Sequence, residues 1–213
     1  MNPLETMILR REFRYEPPYF YRHDLALRCE LGIGENEEAY ITTAKKRASE
    51  IYAILFEKGV DLFFFDHCIY DYDFDMGNAV NVNALIATEK ARLKFCLNYQ
   101  KKYGHAVVRD IPFEKEDDDR DVIQKNRICC YPDDAFHAIE AINAQIDGQE
   151  TPTIHLVSFA NACILSVYDD RGCDVVFFDK GAFQKFYPLL KAYFLDCDAA
   201  LMQRRYADSI KKA

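Results

Sequence analysis

No stretch of this chain approaches the roughly 18 consecutive apolar residues that a membrane-spanning helix needs, which argues against an integral membrane protein. The opening Met1 to Tyr21 carries Glu5, Arg10, Arg11, Glu12 and Arg14 with no apolar core between them, so it does not read as a secretory signal. Internal repeats, low-complexity tracts and Gly/Ser linkers are missing as well, and nothing in the composition marks a domain boundary. Several enzyme signatures are also lacking. The histidines, His23, His67, His105, His137 and His155, show no HxxxH or HxH spacing, no serine sits in GxSxG, and no glycine-rich loop is available to cradle a phosphate.

The eight cysteines do not form a CxxC pair. They are dispersed, at Cys29, Cys68, Cys96, Cys129, Cys130, Cys163, Cys173 and Cys197, inside segments that read as core strands and helices. Adjacent Cys129 and Cys130 would point to opposite faces of a strand, a poor geometry for shared metal ligation. Without an export signal they read as reduced structural thiols, and neither a metal nor a cofactor is expected.

What the chain does have is enough apolar material for a core. Half of its 213 residues are hydrophobic and 14% are aromatic, far from the composition of a disordered chain. Its 35 acids outnumber 27 bases, giving a net charge of −8. That balance argues against nucleic acid and anionic membrane as partners and favours a basic protein.

The patterning predicts a strand over Leu25 to Leu31, then an amphipathic helix between Asn36 and Lys58. Asn36 is its N-cap and Gly59 its stop. A dense apolar strand over Val60 to Tyr70, a helix over Ala84 to Lys102 and strands over His105 to Phe113 and Arg127 to Tyr131 follow. Asp133 or Asp134 is expected to cap a helix carrying Ala135, Ile139, Ile142 and Ile146 on one face. Three β-rich runs, Thr153 to Phe159, Ala162 to Tyr168 and Cys173 to Phe178, form an antiparallel meander. Gly181 to Lys212 reads as helical, with Pro188 forcing a break or a helix start. Unequal blocks of strand and helix predict an α+β fold. The expected form is a single domain over 1–213 with a mainly antiparallel sheet packed against several helices.

Three constellations carry charge. Asp71, Asp73 and Asp75 alternate in DYDFDMG and have the oxygen chemistry of a Mg²⁺ or Ca²⁺ site. The calcium-loop pattern fails, however, because Met76 stands where glycine is required, so an acidic turn is the plainer reading. Asp117, Asp118, Asp119 and Asp121 form an acidic loop suited to docking a basic protein. Tyr168, Asp169, Asp170, Arg171 and Gly172 form a hairpin turn, with Gly172 expected in the left-handed conformation and the aspartates bonding local amides. A competing reading takes Asp169, Asp170 and Asp174, or Asp71, Asp73 and Asp75, as clustered carboxylates around a divalent metal that perform hydrolysis or phosphoryl transfer.

The segment SVYDDRGCDVVFFDKGAFQKFYPLLKAYFLDCD resembles the C-terminal part of an uncharacterised bacterial family, domain of unknown function family 3885, through Tyr168 to Gly172, Asp174, Val175, Leu195, Asp196 and Asp198. Upstream, Arg28-Cys29-Glu30-Leu31-Gly32 is similar to the family's R-F-E-L-G, and Lys46-Arg47-Ala48 through Phe56 to its R-A-containing helix. Cys29 and Cys197 replace aromatics of that pattern, Tyr193 stands where tryptophan is common, and Pro188 falls inside the last apolar helix. The family is associated with Rhs-type and other polymorphic toxin loci. The resemblance therefore implies a cytoplasmic immunity protein, not an enzyme, that neutralises a basic toxin domain encoded nearby, with Asp71, Asp73 and Asp75 or Asp117, Asp118, Asp119 and Asp121 as its candidate contacts. On this reading, reversing the charge of Asp117, Asp118 and Asp119 should slow association with the toxin and flatten its salt dependence in stopped-flow binding; unchanged kinetics would remove the loop from the interface.

Overall fold

The capping chemistry that Asn36 promises is present: its side-chain Oδ1 accepts the Ala39 amide at 2.9 Å and starts a helix of 19 residues, Glu37–Leu55. Ala44, Ala48, Ile51 and Leu55 form its buried stripe. Gly59, at φ +83°, lets the chain turn away after the helix ends. The computed structural model describes residues 2–10, 19–70, 82–108, 122–148 and 153–211. In chain order its elements are α1 (Pro3–Arg10), α2 (Tyr19–Arg22), β1 (Ala26–Glu30), α3 (Glu37–Leu55), β2 (Leu62–Tyr70), α4 (Val82–Tyr103), β3 (Gly104–Val108), β4 (Val122–Pro132), α5 (Ala138–Ile146), β5 (Ile154–Ser158), β6 (Cys163–Val167), β7 (Gly172–Phe177), α6 (Lys180–Leu190) and α7 (Ala199–Lys211). The class is α+β with antiparallel strand pairing. Among the described residues no helix is long and apolar enough to cross a membrane.

The chain divides into two compact units, one of residues 1–62 and 137–213 and the other of 63–136. In the first, β1, β7, β6 and β5 lie side by side in antiparallel order. Every residue of β5, β6 and β7 is buried, as expected of strands covered on both faces. The outer side of β1 is partly closed by the segment after α6: Cys29 bridges to Phe194, and the Leu195 amide donates to the Arg28 carbonyl at 3.2 Å. In the second unit β2 pairs with β4 and β4 with β3. Register partners Asp66 and Arg127 form a two-pronged ion pair at 2.7 Å, with the guanidinium fully buried over the Phe64 ring.

Two local expectations are corrected. Neither Asp133 nor Asp134 caps α5. Asp133 Oδ1 accepts the Ala135 amide at 2.9 Å in a turn of its own, and α5 begins at Ala138 with no side-chain cap. The buried face is accordingly Ala138, Ala141, Ile142, Gln145 and Ile146, with Ala135 exposed. Pro188, in turn, sits inside α6. A proline in the last turn loses one hydrogen bond, and the helix continues to Leu190 before two short 3₁₀ turns lead into α7.

Of the seven cysteines whose side chains are described, Cys29, Cys96, Cys129, Cys130, Cys163, Cys173 and Cys197, none is bridged; Cys197 is exposed and the other six are buried. Burial pushes the Cys96, Cys130 and Cys163 thiols up to about 12. In the unfolded chain such thiols ionise near about 8.5, so their contribution to stability is intact below that pH and lost as pH rises from there. The urea midpoint should therefore fall between pH 8 and pH 10, and iodoacetamide at pH 8 should label Cys197 while sparing the six buried thiols. Equal labelling of native and unfolded protein would contradict the buried placement.

Candidate functional site

The turn joining β6 to β7 is closed by its own side chains. The Tyr168 amide donates to the Gly172 carbonyl at 3.4 Å, and Asp169 Oδ1 accepts the Arg171 amide at 2.9 Å. Asp169 Oδ2 accepts Arg171 Nε at 2.7 Å and also pairs with Nη2. Asp169 thus bonds a local amide as expected, but the left-handed conformation expected of Gly172 is corrected. Among the described glycines only Gly59 and Gly148 have positive φ. Glycine is needed at 172 for space: a Cβ there would overlap Tyr168 Oη and come within 2.8 Å of the Cys29 carbonyl oxygen.

Beyond the turn, the strand registers align four polar residues. His155 faces Ser166, Ser166 faces Asp174 and Asp174 faces Arg28, forming one row across β5, β6, β7 and β1. Directly opposed residues of antiparallel strands project to the same face. Asp174 is buried, and its oxygens accept Arg28 Nε at 2.9 Å, Arg28 Nη2 at 3.1 Å and the Phe20 amide at 3.1 Å. Arg28 Nη1 lies 3.8 Å from Asp198, which also accepts the Tyr21 hydroxyl at 3.2 Å. The guanidinium carbon sits 4.7 Å from the Tyr21 ring centre, 5.2 Å from that of Phe20 and 6.0 Å from that of Tyr168. At the far end of the row, the Tyr19 hydroxyl and His155 Nε2 share a hydrogen bond of 3.1 Å. Burial disfavours the Arg28 charge, but the hydrogen bonds and charge of Asp174 outweigh it and hold the proton more tightly than usual. Tyr168 ionises well above the ordinary phenol range, through burial first and Asp174 second.

Over this row opens a cleft of ≈670 Å³. Its buried wall includes Tyr19, Ser166 and Asp174, and its more accessible lining includes Glu30, Tyr40, Tyr168 and Arg171. Tyr40, from the first turn of α3, packs where Gly32 has no side chain; a Cβ at 32 would fall inside the ring. The Tyr40 hydroxyl is raised by burial and by Asp170, Asp169 and Glu30, which outweigh Arg171. Ser166, 1% exposed, has no hydrogen-bond partner for its hydroxyl among the described residues.

The expected site residues fare differently. Asp71, Asp73 and Asp75, with Asp117, Asp118, Asp119 and Asp121, lie outside the described residues. Tyr168, Arg171 and Asp174 converge on the cleft, whereas Asp169 is occupied by Arg171. Both Asp174 oxygens accept donors from the chain, so Asp169 and Asp174 belong to separate ion pairs. Arg28, Tyr19, Tyr40, His155 and Ser166 were not anticipated as site residues. The available signal for the row was a polar residue in the interior of each of four mainly apolar strands, Arg28, His155, Ser166 and Asp174.

Arg28→Ala leaves Asp174 buried without its counter-charge and should destabilise the protein by roughly 3 kcal/mol in urea unfolding. Arg28→Lys keeps the charge but loses the fork and should fall between that variant and the parent. Gly172→Ala should cost about 1–3 kcal/mol through the Tyr168 clash. A parental midpoint for Arg28→Ala would show that the pair does not anchor the sheet.

The profile of a domain of unknown function, DUF3885, matches residues 6–198, which take in the turn, the polar row and the whole lining of the cleft. No curated protein and no solved structure matches the chain. With nearly its full length covered, including every residue that builds the site, the chain belongs to the DUF3885 family.

Proposed function

We propose that this chain is a non-catalytic binding protein: a cytoplasmic immunity protein that binds and neutralises a cognate polymorphic toxin domain. The observation that carries the reading is the pairing of a rigid buried scaffold with an aromatic and charged surface. Tyr21 and Tyr168, 53% and 37% exposed, stand on the Arg28 guanidinium, and Arg171 at the same turn has 77% of its side chain exposed. Tyrosine and arginine are the residue types that dominate binding energy at protein interfaces. Groups held in place by a buried ion pair also lose little freedom on binding.

The remaining support is electrostatic and chemical. A net charge of −8 attracts a basic, nucleic-acid-attacking domain and speeds encounter with it. Six buried, unbridged cysteines suit a reducing compartment. Asp174, one of the carboxylates of the competing metal-dependent reading, is engaged by Arg28 and the Phe20 amide, which favours a structural role for it.

Co-expression of the tagged chain with the C-terminal domain encoded immediately upstream is the direct test. Co-purification together with rescue of growth is the expected result. A neighbouring domain that is toxic alone, yet neither captured nor neutralised, would overturn the proposal. Calorimetric titration with Mg²⁺, Mn²⁺ and Ca²⁺ should show no heat; saturable heat with any of them would revive the hydrolase.

A further inference from the structure

The cleft over the polar row has an imbalance of charge and one unsatisfied group. Its two guanidiniums are already neutralised: Arg28 by Asp174, with Asp198 alongside, and Arg171 by Asp169. Glu30 and Asp170 remain, and both act on the Tyr40 hydroxyl with the same sign as Asp169. Of the charged side chains that line the cleft, Glu30 is thus the one without an ion-pair partner among the described residues, and Asp170 stands in the turn beside it. Glu30 pairs with Gly172 through its backbone and accepts Arg47 Nε on its backbone carbonyl at 2.8 Å, so its carboxylate holds neither contact.

Two tyrosines, Tyr40 and Tyr168, line the same space. At the buried end stands the Ser166 hydroxyl, enclosed and without a partner among the described residues. A buried hydroxyl left unpaired costs free energy that a donor entering the cleft would recover. A carboxylate ligand would meet Glu30 and Asp170. A purely apolar one would leave Ser166 unpaired.

We infer that the cleft receives a cationic side chain from the protein partner, arginine in preference to lysine. A guanidinium stacks flat on tyrosine, pairs with Glu30 at the opening and has spare N–H donors for Ser166. The inference rests on the immunity reading for the identity of the partner, since a basic toxin domain supplies such side chains. It adds the point of entry. The Arg28–Asp174 pair then acts as a fixed floor and takes no part in exchange.

The test uses the isotope-labelled full chain titrated with the blocked tripeptide Gly-Arg-Gly, with Gly-Lys-Gly and Gly-Glu-Gly in parallel, followed by NMR. Saturable shifts at the Glu30, Ser166 and Tyr168 amides are expected with the arginine peptide, weaker ones with lysine and none with glutamate. The double variant Glu30→Gln, Asp170→Asn should bind the arginine peptide about tenfold more weakly with an unchanged thermal midpoint. Ser166→Ala should weaken it severalfold and serves as a second probe inside the cleft. Preference for the glutamate peptide, or no saturation with arginine, overturns the inference.

The same double variant is then assayed against the co-expressed toxin domain, where about a tenfold weaker Kd is expected. Capture of the toxin at the parental Kd would sink the cleft and leave the immunity reading standing. Peptide binding in the cleft with no toxin captured or neutralised would do the reverse.

Discussion

The Arg28–Asp174 pair joins β1 to β7 by a forked ion pair, and the Phe20 amide adds a third bond to the same carboxylate. Much of the first unit depends on that junction. Through Phe20 the pair positions α2, whose carbonyl at Phe20 also accepts Arg205 Nη1 from α7 at 2.9 Å. Through Asp198 it reaches the turn that leads into α7. Three segments distant in sequence are thereby tied to one buried charge. Taking two charges out of water is expensive, and it is tolerated here because each carboxylate oxygen finds a donor and the cation lies against aromatic faces.

This junction also gives a physical reason for the motif at the β6–β7 turn. Asp174 is the acid of the pair, Tyr168 leans over its cation, and Gly172 leaves room for the Tyr168 hydroxyl beside the Cys29 carbonyl. Asp169 and Arg171 close the turn against each other. The motif's chemistry is therefore mostly structural, with Tyr168 and Arg171 as its exposed members.

How much of this was legible beforehand depended on the range of the interaction. The α3 helix was readable because a capping asparagine, an apolar period and a terminating glycine are all local signals. The β5–β7 meander was readable because β-rich runs alternate with short turns. Asp133 misled because an aspartate before a helix bonds a nearby amide equally well in a turn, and that alternative won. Gly172 misled because its need for space comes from Tyr168 and from a strand more than a hundred residues away. The row from His155 to Arg28 was hidden for the same reason: it exists only once three strand registers are set, and a shift of one residue in any of them would send its members to the opposite face.

The bridge from Cys29 to Phe194, with the Leu195 amide on the Arg28 carbonyl, has a bearing on how recognition can occur at β1. An open edge strand offers unsatisfied backbone groups to any extended peptide, including a second copy of the same chain. Here part of that edge is already occupied by the chain itself, beside the residue that anchors the site. Backbone-templated strand addition at this point is pre-empted. Any discrimination between partners here would rest on side chains, which can tell one sequence from another where a peptide ladder cannot.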